Sequence, residues 1–145
     1  MKYKNTWLCA LALVACAASA QEQRWGTFKT VTGEVSLGQA NTAHTAVPGD
    51  GLQQADRIVT GRDAHATFTF KDGTLISIGP NSTLELAKVQ FDTTAQDGHL
   101  MLNLLQGSIR VVTGWLAKLH PEQVKVITPT SVVGVRGTDF IVEVP

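Results

Sequence analysis

The chain has 145 residues, 43% of them hydrophobic and 17% charged, with twelve basic and twelve acidic side chains. That length suits one globular domain, the composition excludes disordered and collagen-like classes, and a formal charge of zero argues against a nucleic-acid binder, which carries a basic excess. Both cysteines, Cys9 and Cys16, lie near the start, so a disulfide scaffold, a Cys-based zinc site and a cysteine nucleophile are excluded from the body of the chain.

The first element in chain order reads as an export signal. Met1 to Thr6 carries Lys2 and Lys4 and no acid, Trp7 to Ala18 is an uncharged apolar run, and Ala18-Ser19-Ala20 is a small-x-small cleavage site. The run is shorter than the ~20 apolar residues that cross a bilayer. Cleavage after Ala20 makes residues 1–20 a signal peptide and 21–145 the domain. Loss of Lys2 and Lys4 then leaves ten basic residues against twelve acidic ones, a charge of −2. A second reading stays open, because Leu13-Val14-Ala15-Cys16 resembles the lipobox of bacterial lipoproteins. In that reading Cys16 is lipidated and tethers the domain to the envelope. Both readings place the domain outside the cytoplasm, in the periplasm. No later apolar stretch is long enough to span a membrane, and about 125 residues suffice for a core without disulfides.

Strand signals then follow at short spacing. Thr27 to Leu37 partly alternates, with Val31, Val35 and Leu37 on one face; residues 38–51 read as a loop ending in Pro48-Gly49-Asp50-Gly51. Arg57 to Thr60 is a short strand stopped by Gly61. Ala64 to Phe70 alternates cleanly, with Ala64, Ala66, Phe68 and Phe70 on one side. Asp72-Gly73 then predicts a type I′ hairpin turn into Leu75 to Ile78. After Gly79-Pro80-Asn81-Ser82, Thr83 to Phe91 directs Leu84, Leu86 and Val89 inward, and Ala95-Gln96-Asp97-Gly98 predicts another Asp-Gly turn. Leu100 to Leu105 is apolar enough for a strand buried on both faces, and Gly107 is expected to break it before Ser108 to Thr113. Residues 114–122 hold the one plausible helical turn, too short to be stable alone. Strands at 123–128, 131–135 and 138–144 complete the series. The expectation is an all-β fold: one antiparallel roll or sandwich-like domain of about nine or ten short strands.

Several strings together resemble the FecR-domain family of bacterial envelope proteins. They are Val31-Thr32-Gly33-Glu34-Val35, Pro48 to Leu52 with Asp56 to Gly61, the Ala66 to Ile78 hairpin, and Leu104-Leu105-Gln106-Gly107-Ser108-Ile109-Arg110. The closest correspondence is Val126 to Phe140, which is similar to the family's T-P-x-x-x-x-G-V-R-G-T-x-F signature. The resemblance runs over about residues 31–145 and implies an extracytoplasmic all-β module. In the iron-citrate system, family members relay a signal from an outer-membrane receptor to a sigma factor. Here no sigma-binding segment precedes the export signal, no spanning helix occurs and nothing follows Pro145, so the expectation is a stand-alone exported domain.

The candidate site residues come from that closing signature: Thr128, Pro129, Gly134, Arg136, Gly137, Thr138 and Phe140. Pro129 suits a strand entry or bend, and Gly134 and Gly137 suit a bulge or close backbone approach. Arg136 has five donors; it either braces such a bulge, or pairs with Asp139, or contacts a partner. Phe140, Ile141 and Val142 are expected to return to the core. Trp115, Leu116 and Leu119 form a possible interface patch, and Trp25 or Trp115 offers a ring for a glycan. His44, His65, His99 and His120 lack metal-ligand spacing, and Asp50, Asp56, Asp63, Asp72 and Asp97 sit in turns, where Asp satisfies local donors. No nucleophile elbow, phosphate loop or dinucleotide fingerprint occurs. The expectation is therefore a binding module without catalysis or cofactor, whose partner is an envelope protein. A glycan- or peptidoglycan-binding module is the alternative, with a hydrolase built on turn carboxylates last.

Overall fold

A computed structural model of the chain describes residues 23–39, 41–135 and 137–145. The export signal, Cys16 and Arg136 lie outside the described residues. The strands are β1 (Gly26–Thr32), β2 (Val35–Gly38), β3 (His44–Thr45), β4 (Gly51–Leu52), β5 (Arg57–Thr60), β6 (His65–Phe70), β7 (Leu75–Ile78), β8 (Thr83–Asp92) and β9 (Asp97–Val112). A five-residue helix α1 (Trp115–Leu119) and a 3-10 turn at Pro121–Gln123 lead to β10 (Val124–Ile127), β11 (Val132–Gly134) and β12 (Asp139–Val144). The all-β reading holds, with twelve strands among the described residues in one curled sheet rather than nine or ten.

Strand β9 organises the curl. Its first arm pairs with β8 on one side and with β10 on the other; its second arm pairs with β7 and β12. One half of the sheet thus runs β3-β2-β5-β8-β9-β10-β11, and the other β12-β9-β7-β6-β1-β4. Every pairing is antiparallel except β9 with β10, because the chain returns through α1 beside the start of β9. Both halves supply one core. Phe28, Leu52, Phe68 and Ile76 come from the second half, and Leu37, Ile58, Leu84, Leu86 and Leu102 from the first. Phe70 on β6 meets Phe91 on β8 with ring centroids 5.9 Å apart, a direct contact between the halves.

Five local expectations need correction. The 27–37 run is two strands, one in each half, because the chain turns at Gly33. Gly107 does not break the apolar run; β9 continues through it as a single strand of 16 residues. Nor is that run buried on both faces: Leu100, Leu102 and Leu104 are in the core, whereas Leu105 is exposed, since strand side chains alternate. The Asp72-Gly73 turn is not type I′. Gly73 alone has positive φ (+85°), the Gly73 amide donates to the Phe70 carbonyl and the Phe70 amide to the Thr74 carbonyl. That is a type I turn closed by a left-handed glycine, the three-residue hairpin. The second Asp-Gly pair likewise falls within β9, and residues 93–96 make the turn.

Candidate binding surface

The closing signature forms the rim where the two halves end. Thr128 to Ser131 is the tight turn joining β10 to β11: the Thr128 amide donates to the Ser131 carbonyl at 2.9 Å, and the Ser131 amide to Thr128 Oγ1 at 3.0 Å. Pro129 sits at the bend, where its missing donor costs nothing. Past β11 the chain crosses to the other half. There the Thr113 amide and hydroxyl donate to the carbonyls of Thr138 and Gly137, at 2.9 Å and 3.2 Å, and β12 begins.

Between β11 and β12 lies an open groove of about 430 Å³, lined by Thr130, Ser131, Val133, Phe140, Val142 and Val144 among others. Gly134 and Gly137 are also in its wall, but a Cβ at either would meet nothing within 4 Å. The expected close backbone approach is absent at both positions. Alternation also splits the expected core return of 140–142. Phe140 is partly buried and Val142 buried, whereas Ile141 points outward, 64% exposed; Val132 on β11 is 65% exposed.

Asp139 is held by Arg110, and Arg136, the partner expected for it, lies outside the described residues. Arg110 Nε and Nη2 donate to its two carboxylate oxygens at 3.0 Å and 2.6 Å, across the β9–β12 pair. Hydrogen bonding by Arg110, then its charge, holds the Asp139 carboxyl below the usual carboxylate range; the same pairing raises Arg110. The arginine of the Leu104–Arg110 string and the aspartate of the closing signature thus meet across 29 residues of sequence.

The proposed helical patch divides. Leu116 is 0% exposed and belongs to the core, so it is no interface residue; Leu119 is 50% exposed. Trp115 is half-buried, its ring edge-on to Phe91 at 6.2 Å. Trp25 meets the same phenylalanine at 6.1 Å and has the Lys71 ammonium 5.2 Å from its ring centroid, so neither indole is an open platform. The histidines are dispersed: His44 lies 3.4 Å from Asp50, His120 lies against the Gln96 carbonyl, and His65 and His99 are exposed. Among the described residues, no group of three His, Cys, Asp or Glu side chains is placed to hold a metal ion. Asp50, Asp56 and Asp72 accept from the amides of Val47, Gln53 and Thr74, the local bonding expected of turn aspartates, whereas Asp97 lies in β9, where it accepts from the Gly98 amide. The sequence reading missed Ile141 and Glu143; strict alternation from Asp139 onward would have placed both on the outer face.

The family model described as FecR protein matches residues 56–144. The chain belongs to the FecR family. The match to this FecR chain takes in β5 to β12, and with them the shared strand β9, the Arg110–Asp139 pair and the whole closing rim. A solved structure described as a cell surface anchoring domain is similar to 43% of the chain and 84% of its own length, at 26% identity with a TM-score of 0.41. No curated protein matches. No described helix of this FecR chain is long and apolar enough to cross a membrane.

Proposed function

We propose that the protein is an exported, non-enzymatic module of the bacterial envelope that binds another envelope protein. The observation that carries this reading is the rim: the family's closing signature builds a groove lined by Val133, Phe140 and Ile141, and on the two strands that bound it Val132 and Ile141 are each about two-thirds exposed. Large exposed aliphatic side chains at a groove favour a protein contact over solvent. The export signal over residues 1–20 supports an extracytoplasmic location, with a new first residue at Gln21 or, in the lipoprotein form, at Cys16. Membership of the FecR family supports a regulatory or sensory role.

Site-specific photocrosslinking in living cells tests this. A photoreactive side chain is placed at position 132 or 141, and at exposed Lys29 on β1 as control. One envelope protein joined at high yield from 132 and 141, and not from 29, is expected. Glycan fragments in its place, or equal labelling from all three positions, would refute it. The same mass spectra read the mature N-terminus.

A further inference from the structure

We infer that β12 is a docking strand that takes an extended segment of its partner by strand addition, and that the segment presents Lys or Arg on either side of an aliphatic residue. This rests on the protein-binding reading above and adds its mode and chemistry.

The two halves end in four strands: β3 and β4 with two residues each, β11 with three and β12 with six. Edges are kept from pairing by being very short, by charged side chains or proline, or by a bulge. The first three are very short. β12 is the longest, its register on β9 is continuous from Asp139 to Val144, it contains no Lys, Pro or Gly, and its charges are the carboxylates of Asp139 and Glu143, which oppose an acidic strand and not a basic one. Among the described residues it pairs with β9 alone, so on its other side every second residue turns its N–H and C=O towards the groove. A strand laid there gains main-chain hydrogen bonds, and its inward side chains meet Phe140, Val142 and Val144.

The outer face specifies the occupant. Asp139, Ile141 and Glu143 stand exposed at alternate positions, an acid–aliphatic–acid row. Arg110 occupies Asp139, whereas Glu143 has no ion-pair partner among the described residues; its neighbour on β9 is Ser108. Directly opposed side chains on paired strands interact, favourably for unlike charges and unfavourably for like ones. The complement is an aliphatic residue opposite Ile141 with a cation two positions away, opposite Glu143; a cation on both sides presents that pair in either strand direction. A second copy of β12 is not that complement, because β12 has no cation, and any register opposes Glu143 with an acid or an uncharged residue.

The test uses the purified chain and the acetylated peptide Thr-Lys-Thr-Val-Thr-Lys-Thr, with a Glu-for-Lys counterpart and a version N-methylated at alternate amides. NMR amide shifts are followed in titration. The lysine peptide should bind at least about fivefold tighter than the glutamate one, shift the amides of 139–144 and lose binding on N-methylation. The exposed substitution Glu143→Lys should reverse the charge preference. Equal affinity for both peptides, indifference to N-methylation, no binding at millimolar peptide, or shifts confined to another face would overturn the inference. So would concentration-dependent dimerisation through β12 in sedimentation, or an in-cell crosslink from position 141 back to the same polypeptide. Failure here with a partner still crosslinked from 132 and 141 would leave the protein-binding reading standing and remove only the strand-addition mode.

Discussion

At Gly107 the backbone takes φ +91°, and a Cβ built there would lie 2.5 Å from Ser82 Cα and closer still to its hydroxyl. Ser82 is itself buried and accepts from the Ser108 amide at 3.0 Å. Gly107→Ala therefore combines left-handed strain with overpacking against a fixed neighbour, and we expect a loss of about 2–4 kcal/mol in urea unfolding. The Arg110–Asp139 pair is a contrasting case, since both groups are largely exposed and solvent screens them. A carboxyl depressed in the folded state stabilises above its unfolded value, near pH 4, and loses that contribution as the pH falls through its folded value. Asp139→Asn should thus lower stability slightly at pH 7, with the gap to the parent closing as the pH falls through and below the usual carboxylate range and shrinking in high salt. Parallel urea titrations at pH 7 and pH 3 check the sign.

At the scale of elements, α1 has five residues and no side-chain cap, so it exists through its neighbours. Asp72 supplies them: its carboxylate accepts from the Thr74 amide and hydroxyl, and its carbonyl accepts from the Trp115 amide. The Gly114 amide donates to Thr74 Oγ1, in a contact so close that any Cβ at 114 would strike the turn. The β6–β7 turn and the start of α1 are consequently one unit, anchored by Leu116 in the core. Asp72→Ala leaves a buried donor unpaired and should cost about 1–3 kcal/mol. Leu116→Ala should cost about 2–5 kcal/mol. Thermal unfolding of both variants, with near-ultraviolet circular dichroism reporting on Trp115, measures these losses.

For the whole molecule, β9 threads both halves of the sheet, and the core draws on both. Separate unfolding of either half would strip one arm of β9 of its partners. We therefore expect a single cooperative transition, with the slowest-exchanging amides of both arms reporting the same opening free energy. Two distinct plateaus in native-state hydrogen exchange would contradict this.

What the sequence determined alone is what its local period carries. β5, β6, β7 and β8 lie where alternating apolar residues put them, because a strand's two faces repeat every second residue. The strings that resemble the FecR family were legible because each is a continuous run of residues, as was the helical turn. The tertiary structure decided everything that depends on which strand lies beside which. Gly107 reads as a stop until Ser82 is seen beneath it, where it becomes a bend in one long strand. Arg110 finds Asp139 only through the β9–β12 register, which no spacing in the chain reveals. Leu116 is buried and Ile141 exposed because packing and pairing, not hydrophobicity, assign a side chain its face. Pairing joins residues far apart in the chain, and local sequence fixes only the faces that each strand offers to be paired.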